Sequence, residues 1–173
     1  MIKLNEIINQ YGDYEIDEEK LKEILIKPKP KSVWDLKNGD KYYAIYSTNW
    51  TFIGSYTWVG ASSDIYLRNA SNVFLTKEEA QFEIERRKVE AILVKYGRRN
   101  FKGHEDNFYI FYDYCRKELK INDIHTVGYQ GTIYFDTEEL CEQAIKEAGK
   151  DNIIKYIFGV DEDGNAQADT EEN

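Results

Sequence analysis

No apolar run in this 173-residue chain approaches the ~20 residues that a membrane-spanning helix needs. The N-terminus has no basic stretch followed by an apolar one, so no secretion signal is read there. Cysteine is scarce. Cys115 and Cys141 lack a paired motif, and without an export signal both are expected to be reduced. These absences point to a soluble, cytoplasmic protein with no membrane partner. Proline is confined to Pro28 and Pro30 in the run KPKPKS, which reads as an extended linker because proline has no amide donor and a fixed φ.

The motifs of common chemistries are also missing. There is no P-loop, GxGxxG, GxSxG or HExxH, so no enzyme class is indicated and no cofactor is expected. His104, Cys115, His125 and Cys141 are the residues from which a zinc site would be assembled. Zinc ligands come in closely spaced pairs, and here no two are closer than ten residues. Asp161, Asp163, Asn165 and Glu172 occupy calcium-loop positions, but Ala166 stands where the loop's sharp turn requires glycine. An acidic tail over 161–173 is the reading there.

What is present is aromatic and charged. Fourteen tyrosines, eight phenylalanines and three tryptophans accompany 32% charged residues, a globular composition with many amphipathic rings. One pattern occurs twice. NVFLTKEEA (72–80) and TIYFDTEEL (132–140) each run from a short aromatic-aliphatic stretch through a capping residue into two glutamates. Upstream of them lie DKYYAIY (40–46) and DNFYIFY (106–112). The fold class expected is α+β: two tandem related units, each an antiparallel β-meander followed by a helix, with a short helical N-terminal appendage. The divisions are the appendage at 1–27, the linker at 28–33, the first unit at 34–100, the second at 101–160 and a disordered tail at 161–173.

Within the appendage, 4–10 and 18–26 read as short helices. In the first unit strands are expected at 42–46, 51–59 and 73–75, with an irregular connection over 60–70. Thr76 and Glu79 form a capping box for a helix over 77–96 that Gly97 stops. In the second, strands are expected at 108–114, 119–128 and 132–135. Asp136 and Glu139 take the cap positions of a helix over 137–148, and another helix covers 152–158. The glutamate pairs at 78–79 and 138–139 are explained by helix first turns, where negative charge meets free amides. Rings on both faces of 108–114 call for cover on each side, from a sheet, a partner or a ligand.

Charge is unevenly spread within a net −9. Residues 86–104 carry seven cations (Arg86, Arg87, Lys88, Lys95, Arg98, Arg99 and Lys102) against Glu90, whereas 105–173 is strongly acidic. The basic segment, with Tyr96 and Phe101 interleaved, is the candidate site for phosphates, for stacked bases or for an acidic partner. The competing expectation is a solvated helix face paired with the acidic second unit of the same molecule.

The stretches 27–45, 71–80 and 134–160 resemble small acidic proteins encoded by phages and prophages of Gram-positive bacteria, a group that includes anti-CRISPR inhibitors of Cas9. That resemblance implies a non-enzymatic, anti-defence role: binding a host nucleic-acid-handling effector, as a monomer or homodimer in the bacterial cytoplasm. Two other roles stay open. One is a nucleic-acid-binding regulator using 86–102, and the other is a phage structural or assembly protein.

Overall fold

The computed structural model describes residues 6, 32–46 and 52–161. The chain divides into two compact units, Met1–Lys31 and Ser32–Asn173, and the described residues other than Glu6 belong to the second. The expected helix at 18–26, that at 4–10 apart from Glu6, most of the linker and the tail beyond 161, with all its calcium-loop positions but Asp161, lie outside the described residues.

The class is α+β, with two small antiparallel sheets and four helices among the described residues. Strands β1 (Lys41–Ile45) and β2 (Ile53–Thr57) pair with Tyr43 opposite Ser55. On the far side of β1 a single bridge joins Tyr43 to Phe74 through both backbone groups, at 2.8 and 2.9 Å. The second sheet has β3 (Asn107–Asp113) between β4 (Glu118–Ile124) and β5 (Tyr134–Phe135), with Tyr109 opposite both Asn122 and Tyr134. In the second sheet the first strand, β3, is central, and in the two-stranded first sheet the Phe74 bridge lies on the side of β1 away from β2. This corrects the meander, in which the second strand would be central. The connections over 58–73 and 125–133 are long enough to pass the hairpin and return on the other side of its first strand.

A second correction concerns residues 60–70, which contain a helix, α1 (Ser62–Asn69). Its N-cap, Ala61, has no capping side chain. The Asp64 carboxylate takes that role by accepting from the Ala61 amide at 3.2 Å. Helix α2 (Lys77–Tyr96) forms where expected. Thr76 Oγ1 accepts from the Glu79 amide at 3.1 Å, and Glu79 accepts in return from the Thr76 amide at 3.3 Å. Its buried positions, Ala80, Ile84, Val89 and Leu93, fall on one stripe at helical spacing.

In α3 (Glu138–Ala148) the expected cap is displaced by one residue. Thr137, not Asp136, accepts from the amide three positions on. Helix α4 (Lys150–Tyr156) follows, starting two residues earlier than the periodicity suggests.

Helix α2 serves both sheets. Ala80 and Ile84 pack with Ile45, Tyr43 and Phe74 of the first. Val89 and Leu93 join Phe135, Cys141, Ala144, Ala148 and Ile153 in the second. The opposite face of the first sheet buries Tyr42, Ala44 and Trp58 with Leu36 and Val73. Two glycines mark close approaches. A methyl at Gly97 would stand 2.7 Å from Ile133 Cγ2 and 2.8 Å from the Tyr134 carbonyl, so its absence lets Arg98 bridge to Tyr134. At Gly54 the Tyr56 ring occupies the space a side chain would need.

The second aromatic face of β3 is met from within the chain. Tyr129, on the 125–133 connection, sits edgewise on Tyr109 at 5.7 Å. Fully buried Asn107 ties the sheet's end by donating to the carbonyls of Lys102, Glu105 and Ile124.

Candidate functional site

The basic segment begins on the exposed side of α2. Arg86 grips Glu83 with two nitrogens, at 2.6 and 2.9 Å, and reaches Glu90 at 3.1 Å. Arg87 shares Glu83 at 2.6 Å, and Lys88 pairs with Glu85 at 2.8 Å. These are three- and four-residue spacings, which the helix brings together without tertiary help. Partial burial alone would raise the carboxyls of Glu83 and Glu90, but hydrogen bonds from the arginines outweigh it and hold both below their usual range.

The rest of the segment turns to partners farther off. Lys95 meets Glu147 of α3 at 2.7 Å, and Tyr96 donates its hydroxyl to the same carboxylate. Arg99 returns to Glu90 at 2.8 Å. Arg98 and Lys102 converge on Asp136, at 2.9 and 3.0 Å. Their hydrogen bonds keep Asp136 below its ordinary value. The displaced cap explains this meeting. With Thr137 capping α3, the Asp136 carboxylate is free to take two cations.

All seven predicted site cations therefore face carboxylates of their own chain. The interleaved rings are engaged as well, since Phe101 lies edgewise on Tyr134 at 5.5 Å. As a site for an external phosphate the segment offers charges that are already answered. Most of these pairs are exposed, so each contributes little to stability, and their effect is on what the surface presents.

The zinc candidates are not gathered. Cys141 is fully buried in the helix layer, where desolvation, with the charges of Glu138 and Glu142, pushes its thiol up to about 12. Cys115 is exposed in the β3–β4 turn. His125 lies between Asp106 and Asp123, at 3.2 and 2.9 Å. Among the described residues no group of three or more His, Cys, Asp or Glu is placed to hold a metal ion.

Two features escaped the sequence reading. A cavity of about 280 Å³ opens between α2, α4 and the 130–133 connection, floored by Leu93, Ile110, Phe135 and Ile153 and rimmed by Arg86 and Glu90. On the first sheet, Arg68 of α1 lies between the rings of Trp34 and Trp58. Two tryptophans near an arginine would have been the signal for the second. With 60–70 read as irregular, nothing placed Arg68 beside them.

No family model, curated protein or solved structure matches this chain.

No helix among the described residues is long and apolar enough to cross a membrane.

Proposed function

We propose that this protein is a non-enzymatic binding protein: an anti-defence inhibitor of phage or mobile-element origin, working in the host cytoplasm on a nucleic-acid-handling effector such as CRISPR-Cas9. The observation that carries this reading is the internally paired basic segment. With its seven cations already facing carboxylates, the segment has little to offer an anion, whereas carboxylates elsewhere stand open to a cationic partner. Glu138 and Glu142 on α3 are exposed and make no ion pair among the described residues, and the tail adds more acid. Acidic groups of this kind suit a cationic nucleic-acid channel, through an association steered by charge and weakened by salt.

We also infer that the two sheets are copies of one ancestral unit. Tyr43 and Phe74 bridge in the first, Tyr109 and Tyr134 pair in the second, and these residues hold matching places in the repeated segments. A duplicated scaffold with unlike surfaces suits a binding role.

The test is a titration of purified Cas9–guide complex at low and at high salt, with wild type and with a variant carrying Glu138→Gln, Glu139→Gln and Glu142→Gln. Binding should weaken at high salt, and by about tenfold in the variant. Affinity indifferent to both changes defeats the reading. A mobility shift of nucleic acid by this protein alone would favour the regulator instead.

A further inference from the structure

Arg68 is the described arginine that sits between aromatic rings and has no anion beside it. Its guanidinium carbon lies 4.6 Å from the ring centroid of Trp34 and 4.9 Å from that of Trp58. Its side chain makes no hydrogen bond or ion pair with any described residue, and Nε is sealed without an acceptor. On a helix the natural partner is a carboxylate four residues back. That residue is Asp64, and its oxygens are already filled by the Tyr42 hydroxyl at 2.9 Å and the amides of Val59 and Ala61 at 3.0 and 3.2 Å. The local fold therefore commits Asp64 elsewhere and leaves the guanidinium without a carboxylate partner.

The surroundings are those of an interface anchor. Trp34 is 63% exposed and Ile65, one turn before Arg68 on the same side of α1, is 41% exposed. Arginine and tryptophan dominate the few residues that carry binding energy at protein interfaces. The stack is also rigid. Trp58 continues onto Tyr42 at 5.9 Å, and Tyr42 is fixed by its bond to Asp64, so little side-chain ordering remains to be lost on binding.

We propose that the Trp34–Arg68–Trp58 stack is a docking site for a protein partner, which places an aspartate or glutamate side chain on the free edge of Arg68 and an apolar neighbour against Trp34. The planar guanidinium matches a carboxylate with two parallel hydrogen bonds. Charge disfavours a nucleic acid at this place. One guanidinium stands here, whereas a phosphate backbone is held by several cations. The proposal concerns the first sheet and does not depend on the acidic reading of α3.

The test uses the full chain, ¹⁵N-labelled, with the Arg68 Nε–H resonance and indole fluorescence as readouts. The probes are the capped dipeptides acetyl-Glu-Phe-amide and acetyl-Gln-Phe-amide, and an oligothymidylate. The Glu peptide should shift the Arg68 resonance with half-saturation at about 1 mM, the range of a single small contact. The Gln peptide should bind at least about tenfold more weakly. Arg68→Lys and Trp34→Ala should each cost about tenfold for the Glu peptide, with far-UV dichroism unchanged. Because Trp34 is exposed, its variant keeps the test decisive if Arg68→Lys unfolds. Equal response to both peptides, response to the oligonucleotide alone, or no response at all overturns the proposal.

Discussion

Both sheets carry antiparallel partners on the two sides of their first strand, one of them a single bridge in the first sheet and a short strand in the second, but they stabilise their surroundings by different means. Around the first, the return connection folds into α1, and a row of aromatic rings lines one face of a two-stranded ribbon. Trp58, Tyr42, Tyr56, Tyr46 and Phe52 follow one another at centroid distances of 5.4–6.3 Å. Burial pushes the Tyr56 phenol up to about 12, helped by its bond with Tyr46. Around the second, the return connection stays irregular, helices α3 and α4 cover one face, and ion pairs tie Lys102 to Asp136 beside β5 and α2 to α3 through Lys95 and Glu147. One pairing scheme thus accepts either cover. What differs is the residue left over: an unanswered arginine on the first sheet and unanswered carboxylates on the second.

The comparison predicts a shared fate, because α2 contributes buried residues to both cores. Phe135→Ala removes a ring that is 1% exposed in the second core and should cost about 3–5 kcal/mol. All three tryptophans lie between residues 34 and 58, so their fluorescence reports on the first region alone, while far-UV dichroism reports on the helices. In urea the two signals should move together to a lower midpoint. Separate transitions would show that the sheets unfold independently.

Asp64→Asn sharpens the contrast from the first sheet. It removes a buried, charged acceptor from Tyr42 and two amides and should cost about 1–3 kcal/mol, read by the same urea titration. Burial works against the Asp64 charge, but these donors overcome it and lower its carboxyl below the usual 3.8. Glu83, Glu90 and Asp136 are lowered as well. A carboxyl with a depressed folded value contributes stability above its unfolded value and loses it as pH falls through the folded one. Stability should therefore decline below about pH 4.5, and Asp64→Asn should flatten that decline. An unchanged acid profile in the variant would remove Asp64 from the account.

The second sheet depends on a close approach instead. Gly97→Ala drives a methyl into the Tyr134 carbonyl, a backbone atom that cannot swing away, and should cost about 1–3 kcal/mol in thermal or urea unfolding. The smallest effect is expected at Asp136→Asn. That change breaks the pairs to Arg98 and Lys102 on an exposed carboxylate and should cost only about 0.2–1 kcal/mol. Its other consequence is electrostatic, since Arg98 loses its carboxylate and Lys102 keeps only Glu105, at 3.7 Å. If nucleic-acid binding appears only in this variant, the internal pairing is what suppresses it.

Residues 77–96 were legible as a helix because their signals are local: a Thr-x-x-Glu cap, a stripe at helical spacing and a terminal glycine. The hairpin strands β1 to β4 were legible for the same reason, from alternating rings and β-branched residues, whereas the strand expected at 73–75 is a single bridge at Phe74 and the one expected at 119–128 ends at Ile124. Helix α1 was not, since its capping carboxylate is organised by Tyr42, twenty-two positions away, and its flank carries no cap of its own. The displaced cap at Thr137 was hidden because Asp136 and Thr137 are both good caps. Thr137 takes the cap, and Asp136 meets Arg98 and Lys102 from more than thirty positions away.

The sequence by itself determined the α+β class, the long helix with its caps, the hairpins and the seven-cation segment, since each rests on neighbours within a few turns of chain. Only the tertiary structure decided which strand is central, which carboxylate answers each distant cation and which arginine is left unanswered between two tryptophans. Those outcomes depend on groups tens of residues apart competing for the same partner, and no local pattern records the winner.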